Sequence, residues 1–461
     1  MFNSFRKYIK RTLSTIATVS IIAVTTFSVT ANVSAAASDS STAPKAAWPD
    51  APSITCESAI LIDADTGSIL YEKDSHRKAY PASTTKILTG LLTIENCNLN
   101  DTMTFSSKAA NSVNPYEDAN LSMKAGEQIT VEQALYGLLL YSANEIAYGL
   151  AEQVAGSADA FIDMMNNKAK ELGAINTHFA NPSGLYNPNH YTTAYDMAMI
   201  ARGCYNNASF VNIDSTSSSY TIPATNMSAQ RTIKHRHKML KGREFYYEYC
   251  KGGKTGFTDE SLMTLVTFAE KDGMRLICVV FRSPDDSTRY IDTRTLFDWG
   301  FGNFKKSTTS NSQISSLFST DNYYSSDVFG KSKLGFNLNA SFITIPANGS
   351  TSDVTMDINT DYDVSNSNDK LTAKLNYKYG DNVVGTTTLT ISSGNAVKDS
   401  QLPYLSNEIK VTELTPKKCL KVNIWIIAGI VAVILIIITI INNRKLSNNR
   451  KHHYSKRNLR F

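Results

Sequence analysis

The chain has 461 residues, a formal net charge of +5, 42% hydrophobic residues and six cysteines. Four basic residues sit at the start (Arg6, Lys7, Lys10, Arg11) and seven in the last stretch after Ile441, so setting those eleven aside turns +5 into −6. Nucleic-acid-binding domains concentrate positive charge on their folded part, which excludes that class, and cysteines without any Cys-x-x-Cys spacing exclude a metal or redox pair of that kind.

The basic start leads into an apolar, hydroxyl-rich run from Leu13 to Val29 and then small residues at Ser34 to Ala37. That order describes a secretory signal peptide, taken as residues 1–36. Residues 37–54 are rich in Ala, Ser, Thr and Pro and read as a flexible lead-in. A compact unit is expected over 55–304. It begins with a β-hairpin, Ser58 to Asp63 and Ser68 to Glu72, joined through Asp65-Thr66-Gly67. Pro81 then introduces a helix bearing Ser83, and Thr130-Val131-Glu132-Gln133 is a capping box for an apolar helix to Tyr141. Further helices are expected from Ser157 to Leu172 and from Thr193 to Cys204. Strands follow over Leu262 to Phe268 and Met274 to Phe281, around the tight turn Lys271-Asp272-Gly273, and a last helix over Asp286 to Trp299. Strands at both ends with helices between them predict an α+β fold, a sheet packed with a helical cluster.

From 305 to 415 the composition shifts to Ser, Thr, Asn and Asp with short alternating runs, such as Ser341 to Ile345 and Leu371 to Tyr377, which predicts a small all-β domain without visible chemistry. Ile424 to Ile441 is an 18-residue run without charge, about the minimum for a bilayer core of roughly 30 Å. One transmembrane helix is therefore expected over 422–442, with a basic cytoplasmic tail over 443–461. Together with the signal peptide this predicts a single-pass plasma-membrane protein whose folded part is extracytoplasmic. Cys56 and Cys97, or other cysteines, could pair after export, and the sequence assigns no pairing.

Chemistry is concentrated in three short motifs. Ser83-Thr84-Thr85-Lys86 puts a hydroxyl and an amine nearly one helical turn apart, where the lysine can take the proton of an otherwise weak nucleophile. The same spacing recurs at Ser4 to Lys7, so alone it decides nothing. Ser142-Ala143-Asn144 lies just after the capped apolar helix, where a loop between helices points into a cleft. Lys254-Thr255-Gly256 occurs once, behind Gly252-Gly253, where a glycine lets a substrate backbone approach a sheet edge. A solvated lysine, a capping serine or a turn glycine explains each motif taken singly. His235 and His237 alternate rather than stand three or four apart, so they are expected to be partly exposed loop histidines and not a metal pair. No metal or cofactor is expected.

The order Ser-x-x-Lys, Ser-x-Asn, Lys-Thr-Gly within one domain is the signature of β-lactamases and penicillin-binding proteins. With the phrases Ala119-Asn120-Leu121-Ser122-Met123-Lys124-Ala125-Gly126-Glu127, Asn181-Pro182-Ser183-Gly184-Leu185 and Gly253 to Thr258, the chain resembles the D-alanyl-D-alanine carboxypeptidases, the low-molecular-mass penicillin-binding proteins. The resemblance implies a β-lactamase/transpeptidase-like catalytic domain, followed by the small all-β domain and the transmembrane helix. It implies Ser83 as acylated nucleophile, Lys86 as its base and Ser142 as proton relay. Asn144 would hold the substrate amide, Lys254 and Thr255 the terminal carboxylate, and the N–H groups of Ser83 and Phe257, beside Gly256, the oxyanion. Arg236 and Arg289 fall where the family places basic groups near the site. The implied partners are peptidoglycan stem peptides, β-lactam antibiotics as covalent inhibitors and the cell membrane. An endopeptidase or transpeptidase would differ only in what leaves or attacks the acyl-enzyme, and a non-enzymatic sensor of wall peptides or penicillin would keep the binding groups without turnover. A class A β-lactamase would need a Glu-x-x-Leu-Asn counterpart, which the region after Asn144 lacks.

Overall fold

The computed structural model describes residues 47–309, 334–338, 341–358, 365–367 and 370–393. The signal peptide, the transmembrane segment, the basic tail and Cys419 lie outside the described residues. Among the described residues, no helix is long and apolar enough to cross a membrane, and the five cysteines are unpaired.

The chain opens with the antiparallel hairpin β1 (Ser58–Asp63) and β2 (Ile69–Lys73). A single 3-10 turn, Ala82–Thr85, leads straight into α1 (Lys86–Asn96). β3 (Thr102–Thr104), the short α2 (Ser107–Ala110) and β4 (Gln128–Thr130) precede α3 (Val131–Tyr136). The expected capping box is present, with Gln133 N donating to Thr130 Oγ1 and Thr130 N to Gln133 Oε1. A π-helical turn, Gly137–Tyr141, ends α3. Then come α4 (Asn144–Ala155), α5 (Ala158–Glu171), α6 (Ala194–Tyr205) and α7 (Ala208–Asp214). β5 (Tyr220–Ile222) pairs with β6 (Arg231–Ile233). The long strands β7 (Cys250–Thr258), β8 (Leu262–Lys271) and β9 (Met274–Ser283) return to the main sheet, and α8 (Asp286–Asn303) closes the unit.

The main sheet has the order β2-β1-β9-β8-β7 and is antiparallel throughout. Successive side chains of a strand point to opposite faces, and here both faces are covered. Ile277, Val279 and Phe281 of β9 pack with the helical cluster, whereas Leu276, Cys278 and Val280 pack with Tyr290, Leu296 and Phe297 of α8. Two-sided burial explains why these strands read as almost unbroken apolar runs rather than as alternation. β7 forms one border of the sheet, paired only with β8. Its free edge runs past the 3-10 turn that carries Ser83.

Residues 47–54, read from sequence as the end of a flexible lead-in, are packed. The Trp48 ring lies 4.9 Å from that of Phe304, Trp299 Nε1 donates to Asp50 O at 2.7 Å, and Ile54 joins the core under α8.

Beyond α8 the chain continues into β10 (Phe304–Thr308), then β11 (Leu334–Leu338), β12 (Phe342–Pro346), β13 (Thr355–Ile358), β14 (Ser365–Ser367), β15 (Lys370–Tyr379) and β16 (Asn382–Ser393). A sheet of order β11-β16-β15-β13 carries its own small core, built on Ile343, Ile345, Leu375, Tyr377, Val384 and Leu389. β10 pairs with β12, so the strand leaving α8 already belongs to this second module.

Candidate active site

Ser83 sits in the 3-10 turn, not inside a helix as the sequence suggested, and Lys86 is the first residue of α1. Ala82, immediately before the serine, has a φ of 49°. That left-handed conformation is unfavourable for alanine and persists only where the surroundings enforce it. Gly184, itself at φ +84°, crosses beneath: a Cβ there would stand 1.9 Å from Ala82 O. Pro81 O accepts from Thr84 Oγ1 at 2.7 Å and from Thr264 Oγ1 at 3.0 Å, which ties the turn to β8. On the other side, a Cβ on Gly256 would lie 2.9 Å from Ser83 N, so the missing side chain lets β7 close on the serine backbone.

Lys86 is fully buried, and its Nζ lies 3.0 Å from Ser83 Oγ, 2.6 Å from Asn144 Oδ1 and 2.5 Å from Ser183 O. Burial holds its pKa well below the usual lysine range, and the charges of Lys254 and Arg236 push the same way. A neutral amine has two N–H groups and one lone pair. Asn144 Oδ1 and Ser183 O are pure acceptors and take the two N–H groups, which leaves the lone pair to face the Ser83 hydroxyl.

The π-helical turn delivers the second motif. Ser142, at φ 71°, and Asn144, the first residue of α4, are both buried. Lys254 Nζ donates to Ser142 Oγ at 3.0 Å and to Thr255 O at 2.9 Å. Lys254 is buried too, and its pKa is pushed down to about 7, chiefly by burial, with Arg236 and Arg289 adding to the effect and Asp214 opposing it. Two lysines, two serines and an asparagine from three separate segments therefore meet at one point.

The remaining expected residues divide. Phe257 is 54% exposed, on the strand just past Gly256. Arg236 stands beside the site: its backbone N donates to Leu140 O at 2.9 Å, its guanidinium covers the Tyr141 ring, and its charge acts on both lysines. Arg289 is buried behind β7 rather than offered to a ligand. It donates to Gly256 O and Thr264 O, both at 3.1 Å, and pairs with Asp286. His235 and His237 are buried, not partly exposed as the sequence suggested. His237 Nε2 lies 2.9 Å from Thr267 Oγ1 and His235 Nδ1 accepts from His237 N at 3.0 Å, whereas His235 Nε2 has no hydrogen-bond partner.

Sequence reasoning missed three supports. Ser183 contributes its backbone carbonyl, which no side-chain motif can announce, although the positive-φ Gly184 beside it marks a special turn. His190 Nε2 lies 2.8 Å from Thr85 Oγ1, and burial lowers its pKa to about 3, so it is a neutral prop under the turn. Glu145 is buried with Oε1 accepting from Leu121 N at 2.6 Å, so it pins the 119–123 segment next to Asn144.

The antiparallel sheet between helical layers, with a buried lysine against a serine beside the sheet border, is the penicillin-binding, transpeptidase-like α+β fold. A sequence profile of the D-alanyl-D-alanine carboxypeptidase family, Peptidase_S11, matches residues 45–285, over half of the chain, and the chain belongs to that family. It is 34% identical over 254 residues to the D-alanyl-D-alanine carboxypeptidase DacF of Bacillus subtilis (strain 168). That match covers 54% of this chain and 63% of that protein, less than two thirds of its length. The crystal structure of a D-alanyl-D-alanine carboxypeptidase from Mycobacterium tuberculosis H37Rv superposes with a TM-score of 0.51 at 32% identity, covering 56% of this chain and 96% of that one. Penicillin binding protein 5 from Haemophilus influenzae has a TM-score of 0.58 and covers 75% of this chain and 98% of its own. At 24% identity, that likeness speaks for the fold alone.

Proposed function

We propose that the protein is a serine D-alanyl-D-alanine carboxypeptidase that removes the terminal D-alanine from peptidoglycan stem peptides. The observation that carries this reading is the fully buried Lys86 amine 3.0 Å from Ser83 Oγ, with its other contacts taken by acceptors.

Ser83 Oγ attacks the carbonyl of the penultimate D-alanine while its proton passes to the Lys86 lone pair. The N–H groups of Ser83 and Phe257 receive the oxyanion, and an oxyanion-hole donor is typically worth about 3 kcal/mol. Asn144 holds the substrate amide, while Lys254 and Thr255 bind the terminal carboxylate. Collapse of the tetrahedral intermediate breaks the C–N bond, and the leaving amine takes its proton through Ser142. Water then attacks the ester, the stem peptide leaves and Ser83 regains its proton. A β-lactam follows the same first step, but its departing amine remains tethered, so the acyl-enzyme persists. Arg236 adds positive potential over the cleft, and Arg289 supports the strand that carries the carboxylate clamp.

The uncharged run at 424–441 and the basic ends support a chain exported through 1–36, anchored by a helix over 422–442, with the catalytic domain on the extracytoplasmic face. Cell fractionation tests this part: the full chain should sediment with membranes and a chain ending at 415 should not. A soluble full chain would overturn the anchor. The reaction is tested by incubating the purified full chain with a pentapeptide ending in D-Ala-D-Ala. Released D-alanine is expected, and its loss by about a thousandfold or more in Ser83→Ala. No release, or release unchanged in the variant, would contradict the assignment.

A further inference from the structure

Asp214 closes α7, and the helix dipole disfavours an anion at that end. It is nonetheless fully buried. Its Oδ2 accepts from Gly253 N at 2.6 Å, one residue before Lys254. Its Oδ1 has no hydrogen-bond partner and lies 3.5 Å from His235 Nε2, which also has none. His235 Nδ1 accepts from His237 N, so in the neutral ring the proton sits on Nε2 and faces the carboxylate. The register of β7 against β8 shifts between Cys250 and Gly252, and the strand closes around this group: a Cβ on Gly252 would stand 2.5 Å from Asp214 Oδ2. A buried carboxylate with one oxygen unsatisfied is costly.

We propose that Asp214, oriented by His235, is a positioning residue for Lys254: it fixes the start of β7 through Gly253 N and faces the lysine with the opposing charge. The inference rests on Lys254 binding the substrate carboxylate. Around Lys254 stand the cations Arg236 of the loop before β7 and Arg289 of α8, with the buried amine of Lys86 of α1 beside them, while Asp214 is the carboxylate whose field opposes the cations. His237, Cys204 of α6 and Cys250 of β7 complete the titratable surroundings of the pair. Burial already holds the Lys254 pKa down at about 7. Removing the opposing charge lowers that value further, so the cation that clamps the carboxylate is lost at a lower pH.

The test uses the full chain and the pH dependence of kcat/KM for D-alanine release, with acylation by penicillin, another carboxylate, as the parallel readout. Asp214→Asn keeps an acceptor for Gly253 N–H and removes the charge, while turning the group that faces His235 Nε2 from an acceptor into a donor. Its alkaline limb should move down by about one pH unit, a loss of about tenfold on that limb, with the acid side nearly unchanged. His235→Gln, which retains a donor toward Oδ1, should keep the wild-type limb. An Asp214→Asn profile that superimposes on wild type would overturn the proposal, as would a uniform fall at every pH or unfolding of both variants. A wild-type chain that acylates but releases no D-alanine would contradict the proposed reaction instead, and the acylation profile would still decide the role of Asp214.

Discussion

In the proposed mechanism, the reactivity of Ser83 comes from where the lysine is kept rather than from the serine. An exposed Lys86 would be a solvated cation with no lone pair to offer. Burial and the neighbouring charges of Lys254 and Arg236 hold its pKa down, and two pure acceptors take its N–H groups, which suits it to the proposed role of base. The serine must then be held within reach, and that depends on Gly184. Replacing Gly184 with alanine puts a methyl 1.9 Å from Ala82 O at a φ of +84°, which no side-chain movement relieves. Gly184→Ala should lower stability by about 2 kcal/mol or more, beyond the usual cost of a β-carbon at positive φ. It should also reduce penicillin acylation by at least about tenfold, since a shift of roughly 1 Å at a reacting group costs that much or more. Thermal melting and the acylation rate of the variant check both, and wild-type values in each would show that the turn does not depend on this contact. Ser83, Lys86, Ser142, Asn144 and Lys254 were legible because each is a side chain in a short local pattern. Ser183, His190 and Asp214 were not, because a carbonyl, a prop and a carboxylate acquire meaning only from partners some 40 to 110 positions away.

Among the elements, the sequence spoke clearly where periodicity and end signals coincide. The Thr130/Gln133 box starts α3 where expected, and the turn at Lys271 to Gly273 joins β8 to β9. α8 runs one turn past the expected Trp299, to Asn303, because Gly300 and the apolar Phe301 and Phe304 still find partners under the sheet. The 3-10 turn at Ser83 was hidden, since Pro81 followed by small and polar residues reads equally as a helix start. His235 and His237 looked exposed for a related reason. Alternation in a short polar segment says nothing of what covers it, and here Asp214 and Thr267 lie beneath. The π-helical turn was also silent, yet it throws Ser142 out of helical register and toward Lys254.

Over the whole molecule, the main unit and the second sheet are joined by more than a linker. β10 pairs with β12 directly after α8, Thr66 Oγ1 meets Thr344 Oγ1 at 3.1 Å, and Lys306 pairs with Asp65 at 2.5 Å. A composition shift near Lys305 marked the change of module, but not this pairing, since strand partners are chosen in space. The second module is thus braced against the main unit through β10 and β12. The proposed chemistry depends most on Ser83 being an acylated nucleophile served by Lys86. Intact-mass and peptide-mass measurement of the full chain after exposure to penicillin tests this directly. One adduct of the mass of the antibiotic, located on Ser83, lost in Ser83→Ala and strongly slowed in Lys86→Ala, is the predicted result. An unmodified chain, or an adduct on another residue, would contradict it.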